Sequence, residues 1–418
     1  MRIATRLVLA AVVIAVVAVW TPVLLNWRDG SAGDGMSSDE NTPAARNAAG
    51  DTPRPGPASR RGVLRILPRV AQPGNTPAKA DAAGVLVTAR FTPAQKGGVV
   101  LLEQRRGSRW QVVSSASQDG SGTADFTDVA PPSGQAAVYR ATALRPNGDR
   151  GVTTNAMSSN RWTLAFGDQF DGSTLDTSKW DYRAVGVYNP EGSRICSKSD
   201  PRAVAVSGGT MELKAMLDPE RIGQPCETPK NGTLDYYLNG HVSTEGKFDF
   251  THGVAAARLK FPRSRGQHGS FWMQKAAGAA SIPGNPAKSG AEIDVVEYFG
   301  DSYPGGGLAS FLYYLNRANE SEKVGGVWPK VTRQLPPGDA WWRSYHVFSV
   351  EWTPKKYIFR VDGREMFHSK KGVSGVKQFL VLSLLTSDWE LPKIEKKSLP
   401  STMNVDWVRV WQRSPSQG

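Results

Sequence analysis

The chain has 418 residues and a net charge of +13, from 51 Lys and Arg against 38 Asp and Glu; 43 Gly, 28 Pro and 13 Trp accompany only 2 Cys. That length accommodates two or three domains, and abundant turn residues without long heptads argue against a helical bundle and predict an all-β protein. The positive charge suits an anionic wall or lipid surface. It is spread without dense basic runs interleaved with aromatics, which argues against nucleic-acid binding.

Residues 1–27 set the compartment. Arg2 and Arg6 precede an apolar run from Leu7 to Leu25, interrupted only by Thr21 and Pro22, in the design of an export signal. Val16, Val17 and Ala18 form an acceptable cleavage site, yet at about 1.5 Å per residue the full run also spans a bilayer core. A cleaved signal peptide and an uncleaved signal anchor both stay open, and both place the rest of the chain outside the cytoplasm, secreted or anchored in the cell membrane.

Residues 28–62 turn to Gly, Ser, Ala, Pro and Asp with hardly an aromatic. Such a segment buries too little apolar surface to offset its chain entropy and reads as a flexible tether, associating with the wall or membrane surface. Residues 63–157 contain short alternating stretches, Val85 to Phe91, Val99 to Arg105, Trp110 to Ser114, Thr123 to Phe126 and Val138 to Ala143, separated by turn clusters. This pattern predicts a small β-sandwich of immunoglobulin or fibronectin type, for spacing or accessory binding. In the oxidising space the export signal implies, Cys196 and Cys226 are expected to bridge, closing a loop of about 30 residues that contributes roughly 3–4 kcal/mol. With no histidine between them, they do not make a metal site.

The stretch around which the chain is organised is Glu292-Ile293-Asp294-Val295-Val296-Glu297-Tyr298. In a regular strand Glu292 and Asp294 share a face and Glu297 points the other way. One extra residue cures this: if Val295 and Val296 together oppose a single residue of the neighbouring strand, Glu297 returns to the face of the other acids while Ile293 and Tyr298 pack behind. Three acids on one face of so apolar a strand repel each other and resist desolvation, which a fold keeps mainly when chemistry needs it. The matching chemistry is retaining glycoside cleavage, with an ionised nucleophile and a protonated acid roughly 5–5.5 Å apart.

From Trp162 onward the chain resembles glycoside hydrolase family 16 of the bulged, laminarinase-like kind, over residues of about 160–412. The segments that carry the resemblance are Trp162 to Gly172 with Leu175, Asp176 and Trp180; Gly240 to Thr244 with Lys247 and Phe248; Ala257 to Pro262; Gly269 to Met273; Val350 to Pro354 with Val361 to Gly363; and Val405 to Trp411, placed in order around the acid strand. The resemblance implies a concanavalin A-like jelly-roll β-sandwich over residues 158–414 with an open, concave cleft. It also implies that Glu292 is the nucleophile, Asp294 the residue that holds and tunes it, and Glu297 the general acid and then base. Substrate contacts are expected from Trp272 or Phe271, only one of which can face the cleft, and from His268 at the cleft rim. Tyr313 stands where relatives often place a histidine, and Asn189 with Glu191 where they often carry an Asn, x, Glu pair.

No cofactor and no metal are expected. The family often binds a structural calcium through a Glu and a late Asp; here Gln169 replaces the Glu and Asp406 remains, which weakens the case. The resulting expectation is a monomeric, exported endo-glycosidase acting on a polysaccharide, β-1,3-glucan first because no basic cluster marks the cleft. A noncatalytic carbohydrate-binding protein on the same fold and a transglycosylase remodelling wall polymer are the alternatives.

Overall fold

The computed structural model describes residues 60–129, 136–186, 188–190 and 192–414. The apolar leader, most of the tether and Glu191 lie outside the described residues. Among the described residues no helix is long and apolar enough to cross a membrane.

Turn-bounded, β-branched stretches form strands almost throughout. In the C-terminal region they build two facing layers. The main path of the layer that carries the acids runs through β1 (Tyr237–Ser243), β2 (His268–Lys275), β3 (Glu292–Tyr298), β4 (Leu308–Leu315), β5 (Ser321–Val327) and β6 (Gln378–Leu385), in the spatial order β5-β4-β3-β2-β6-β1, with the short strand Asp181–Tyr182 pairing to β1 off this path. The second layer runs Thr210–Leu217, Ser401–Arg413, Gly253–Lys260, His346–Thr353, Lys356–Val361, Arg364–Ser369. All pairings along these two paths are antiparallel. This is the all-β jelly-roll sandwich expected.

Strand β1 joins the layers. Its first half pairs with Thr210–Leu217 and its second half with β6. Gly240 marks the crossing, where a Cβ would lie 2.6 Å from the Ala203 carbonyl oxygen and 2.9 Å from Leu213 Cα. Only a residue without a side chain permits that approach.

Alternation then sorts each cleft strand into two faces. From β2, β3 and β6, Phe271, Met273, Ile293, Val295, Val296, Tyr298, Leu380, Leu382 and Leu384 fill the core between the layers, meeting Leu213, Leu259, Phe348, Val350 and Phe359 of the second layer. The residues between them in sequence face the cleft. Gly269 belongs to the inner row, with Phe261 and Met403 where a Cβ would reach, at 2.7 and 2.8 Å.

Residues 60–158 form a three-stranded sheet (Arg61–Ala71, Gly84–Thr92, Thr123–Val129) and a five-stranded one (Val99–Arg106, Arg109–Ser117, Val138–Leu144, Arg150–Thr153, Met157–Ser158). They enclose their own apolar cluster, with Leu64, Val87, Phe91 and Phe126 facing Val100, Leu102 and Tyr139. A second cluster joins this unit to the jelly roll: Leu67, Val70, Ala83 and Leu86 pack on Val254, Val347, Trp407 and Trp411. The contact is on the second layer, on the side of the sandwich away from the acids.

Candidate active site

The central strand β3 departs from regular pairing at one point. Against β2, Asp294 pairs with Trp272 and Val296 with Phe271, leaving Val295 as the extra residue. Against β4, Asp294 pairs with Phe311 and Glu297 with Ala309, so Val295 and Val296 together oppose Ser310. The Ser310 hydroxyl donates to the Val295 carbonyl at 2.9 Å, satisfying an acceptor that the bulge takes out of the ladder. Ile293, Val295, Val296 and Tyr298 are all buried in the core. Glu292, Asp294 and Glu297 are thereby turned to the opposite, concave face.

Neighbouring strands supply the polar partners of these acids. On β2 the cleft-facing residues are His268, Ser270, Trp272 and Gln274. Gln274 Nε2 donates to Glu292 Oε2 at 3.3 Å, and the Ser270 hydroxyl donates to Glu297 Oε1 at 3.4 Å. On β4, Tyr313 pairs with Glu292. From β5, Lys323 places its ammonium 3.8 Å from the Phe311 ring centre and 5.5 Å from that of Tyr313.

The electrostatics follow from burial and like charge. Burial pushes Asp294 well above the carboxylate range, and the charges of Glu292 and Glu297 push it further, against the pull of Lys323. Burial raises Glu292 to about 7, Glu297 adds to this, and Gln274, Arg194 and Arg183 oppose it. Glu297 is raised by burial too; His268 counters that rise, Glu390 adds to it, and Lys323 and Ser270 counter it. Carboxyls crowded in this way cannot all ionise together, so the site holds protons at neutral pH, as an acid catalyst must.

Of the two aromatic candidates on β2, Trp272 faces the cleft. It is partly buried, its indole N–H donates to the Ser383 hydroxyl at 3.1 Å, and His241 and Arg183 flank its ring at 6.2 and 6.0 Å. Phe271 is fully buried in the interlayer core, so it is not a substrate contact: the pleat sends it the other way. His268 is not at the rim. It is 7% exposed on the cleft floor, with Nδ1 2.7 Å from Glu390 Oε2. Asn189 lies exposed in the loop before Gly192, whose N–H donates to the Asn189 carbonyl at 3.3 Å. Cys196 and Cys226 form the disulfide, and the Asp388 carboxylate accepts hydrogen bonds from the Ile195 and Cys196 N–H groups at 2.9 and 3.1 Å.

Several residues of the site had no mark in the sequence. Arg183 reaches Gln274 and lies over the Phe379 ring at 5.0 Å; Arg194 feels the charges of Glu390, Glu297, Asp388 and Glu292; Lys323 enters from β5. Basic groups thus reach the cleft from three separate segments, although no basic run exists in the sequence. Ser270 and Gln274 were within reach of pattern reading, since they sit two positions either side of Trp272. Glu390 and Arg194 were not, because only loop packing brings them near.

The residues expected for a structural calcium do not fit one. Asp406, 2% exposed, is paired with the buried Arg258 guanidinium and accepts the Ala78 N–H at 3.1 Å. The Gln169 side-chain oxygen accepts the Ala80 N–H at 2.8 Å. Arg258 also donates to the carbonyls of Gln72, Gly74 and Thr76, at 2.7, 3.3 and 2.9 Å. A cation of the chain's own occupies the carboxylate, and no group of three or more metal-ligating side chains exists among the described residues.

The sequence model of Glycosyl hydrolases family 16 matches residues 214–409. The chain is 26% identical over 275 residues to glucan endo-1,3-beta-glucosidase A1 of Niallia circulans, covering 60% of this chain and 38% of that protein. It is 25% identical over 276 residues to beta-porphyranase E of Zobellia galactanivorans, covering 61% of this chain and 89% of that one. It therefore spans about two fifths of the first relative's length and most of the second's. Among solved structures it is similar to an endo-beta-1,3-glucanase from Pyrococcus furiosus, at 22% identity and a TM-score of 0.46, covering 61% of this chain and 96% of that one. The matched residues 214–409 hold β2, the acid strand and most of the second layer, and over that segment the chain is similar to glycosyl hydrolases family 16.

Proposed function

We propose that this protein is an exported, retaining endo-glycosidase that cleaves a β-linked glucan, β-1,3-glucan first, by double displacement. The observation that carries the reading is the bulge at Val295 and Val296, which gives Glu292, Asp294 and Glu297 one face of one strand. In this reading Glu292 attacks the anomeric carbon while Glu297 protonates the departing glycosidic oxygen. Glu297 then takes a proton from the water that releases the glycosyl group. Asp294 lies between them on the strand, and its burial and the charges of both glutamates favour its protonated form, so that in this reading Glu292 ionises without a second full charge beside it. Trp272 offers a stacking surface for a pyranose ring. Relatives named as a glucan endo-1,3-beta-glucosidase and a beta-glucanase support the glucan preference.

A second reading, an anionic polysaccharide as substrate, is favoured by one observation: Arg183, Arg194 and Lys323 reach the cleft. The deciding experiment is product analysis of the purified protein on laminarin, mixed-linkage glucan, agarose and a sulfated galactan, with Glu292→Gln and Glu297→Gln as controls. Oligosaccharides from laminarin, absent in both variants, are expected. Cleavage that survives both substitutions overturns the assignment, and binding without products turns it to a carbohydrate-binding protein. Export is tested by mass spectrometry of the mature N-terminus, where a start near residue 19 excludes the anchor.

A further inference from the structure

Glu390 is a buried carboxylate that the scheme above does not use. It lies in the loop after β6, is 3% exposed, and its Oε2 accepts both the Ser387 N–H at 3.0 Å and a hydrogen bond from His268 Nδ1 at 2.7 Å. His268 opens β2 on the cleft side. Ser270, two residues on, pairs with Glu297, and Gly269 pairs with Tyr298. His268 is therefore the diagonal same-face neighbour of Glu297, a relation that spans about 7–8 Å between backbones and is easily closed by long side chains. Phe299, the next residue of the chain on that face, packs its ring 5.5 Å from the imidazole.

Assuming the glycosidase reading, this geometry has a chemical use. Glu297 must give up a proton in one half of the reaction and take one in the other, so its affinity for the proton has to match the working pH. Burial and the Glu390 charge raise that affinity, and His268 is the foremost counterweight, with Lys323 of β5 and the Ser270 hydroxyl behind it. We propose that the His268–Glu390 pair positions the proton of the general acid: Glu390 holds His268 as an imidazolium, and the imidazolium keeps Glu297 able to release its proton.

The surrounding charges agree. Burial works against a charged His268, but the Glu390 carboxylate and its hydrogen bond, with Glu297 behind them, more than restore it, while Arg194 opposes. His241 on β1, beside Trp272, is kept neutral by burial and by the charges of Arg183, Arg194 and His268. Tyr303, stacked on Phe299 at 5.0 Å, feels both Glu390 and Glu297. His268 is thus the imidazolium of the cleft floor: Glu390 holds it charged, while Glu390's own charge pushes Glu297 the other way.

The test is the pH dependence of kcat/KM on laminarin for wild type, His268→Gln and the double variant His268→Gln/Glu390→Gln. Gln keeps a hydrogen-bond donor toward residue 390 and removes the cation. The alkaline limb, which reports loss of the Glu297 proton, is expected to move up by on the order of one pH unit in His268→Gln, and to fall part of the way back in the double variant, which also lacks the Glu390 charge that raises Glu297. A uniform fall in kcat/KM with the limb unmoved overturns the proposal and leaves the pair a structural strut. The second measurement needs no activity: NMR titration of His268 in wild type, Glu390→Gln and Glu297→Gln. The imidazole is expected to titrate above the ordinary histidine range and to fall in both variants, further in Glu390→Gln. An unchanged titration in Glu297→Gln overturns the coupling. If wild type cleaves none of the polysaccharides, the glycosidase reading fails, and the titration still decides whether His268 and Glu297 are coupled.

Discussion

Glu297 stands directly across from Ser270 in the sheet, with the serine hydroxyl 3.4 Å from its Oε1. That pairing exists only because the preceding bulge resets the alternation of β3; without it Glu297 would face the core, in the place Val296 or Tyr298 now fills.

The roles of the two glutamates separate chemically. With an activated aryl β-glucoside, Glu297→Ala is expected to slow turnover steeply and to be rescued by azide as a β-glycosyl azide. Glu292→Ala is expected to yield the α-azide, because the anion then takes the face of the missing nucleophile. NMR of the products reads the anomer, and the reverse assignment of anomers would exchange the two roles.

Burial of Glu292 gives its pH dependence a definite sign. Its proton affinity rises from the usual 4.5 to about 7 in the folded state. Below 4.5 the group is protonated whether the chain is folded or not, and its contribution to stability is fully present; as pH rises through about 7 that contribution is lost. Glu292→Gln is therefore expected to raise Tm at pH 8, by on the order of 2–3 kcal/mol in stability, and to make no difference near pH 4. Thermal unfolding of wild type and variant across pH 4–8 checks this. Activity runs the other way, because only ionised Glu292 attacks, so kcat/KM of the wild type is expected to fall as pH drops below about 7.

Neighbours on β2 should behave differently. Phe271→Ala opens a hole in the fully buried interlayer core and is expected to cost about 3–5 kcal/mol. Trp272→Ala is expected to leave the fold standing and to raise KM, since its ring faces the cleft. Denaturant unfolding together with laminarin kinetics distinguishes a core residue from a contact residue.

On the opposite layer, Arg258 is expected to act where a metal is absent from the scheme. Chelation or added calcium should leave Tm unchanged. Arg258→Leu strands the buried Asp406 carboxylate and should cost about 3–5 kcal/mol, much of it recovered when Asp406→Leu is added. A clear rise of the wild-type Tm with calcium would contradict this.

The disulfide carries a loop as well as stability. Cys196→Ser/Cys226→Ser is expected to lose roughly 3 kcal/mol. Because Asp388 holds the Ile195 and Cys196 N–H groups, freeing this loop should also displace Arg194 and lower kcat/KM. Calorimetry and kinetics on oxidised and reduced protein measure both.

Period-two patterning, read with a single inserted residue, was enough to place Glu292, Asp294 and Glu297 on one face, because strand alternation is a local rule that the chain carries in its own spacing. The same rule left Phe271 and Trp272 undecided, since it says that they differ but not which one the core takes. The core takes Phe271 because Gly269, two residues back, is packed against Phe261 and Met403, and that contact belongs to another strand. Likewise Arg194, Glu390 and Lys323 come from the segment just before Cys196, the loop after β6 and an edge strand; nothing in their spacing announces that burial will force their charges together. The sequence alone therefore determined an all-β chain with a kinked acid strand. Tertiary packing decided which charges surround those acids, because Coulomb interaction depends on distance in space and on exclusion of water, neither of which is written along the chain.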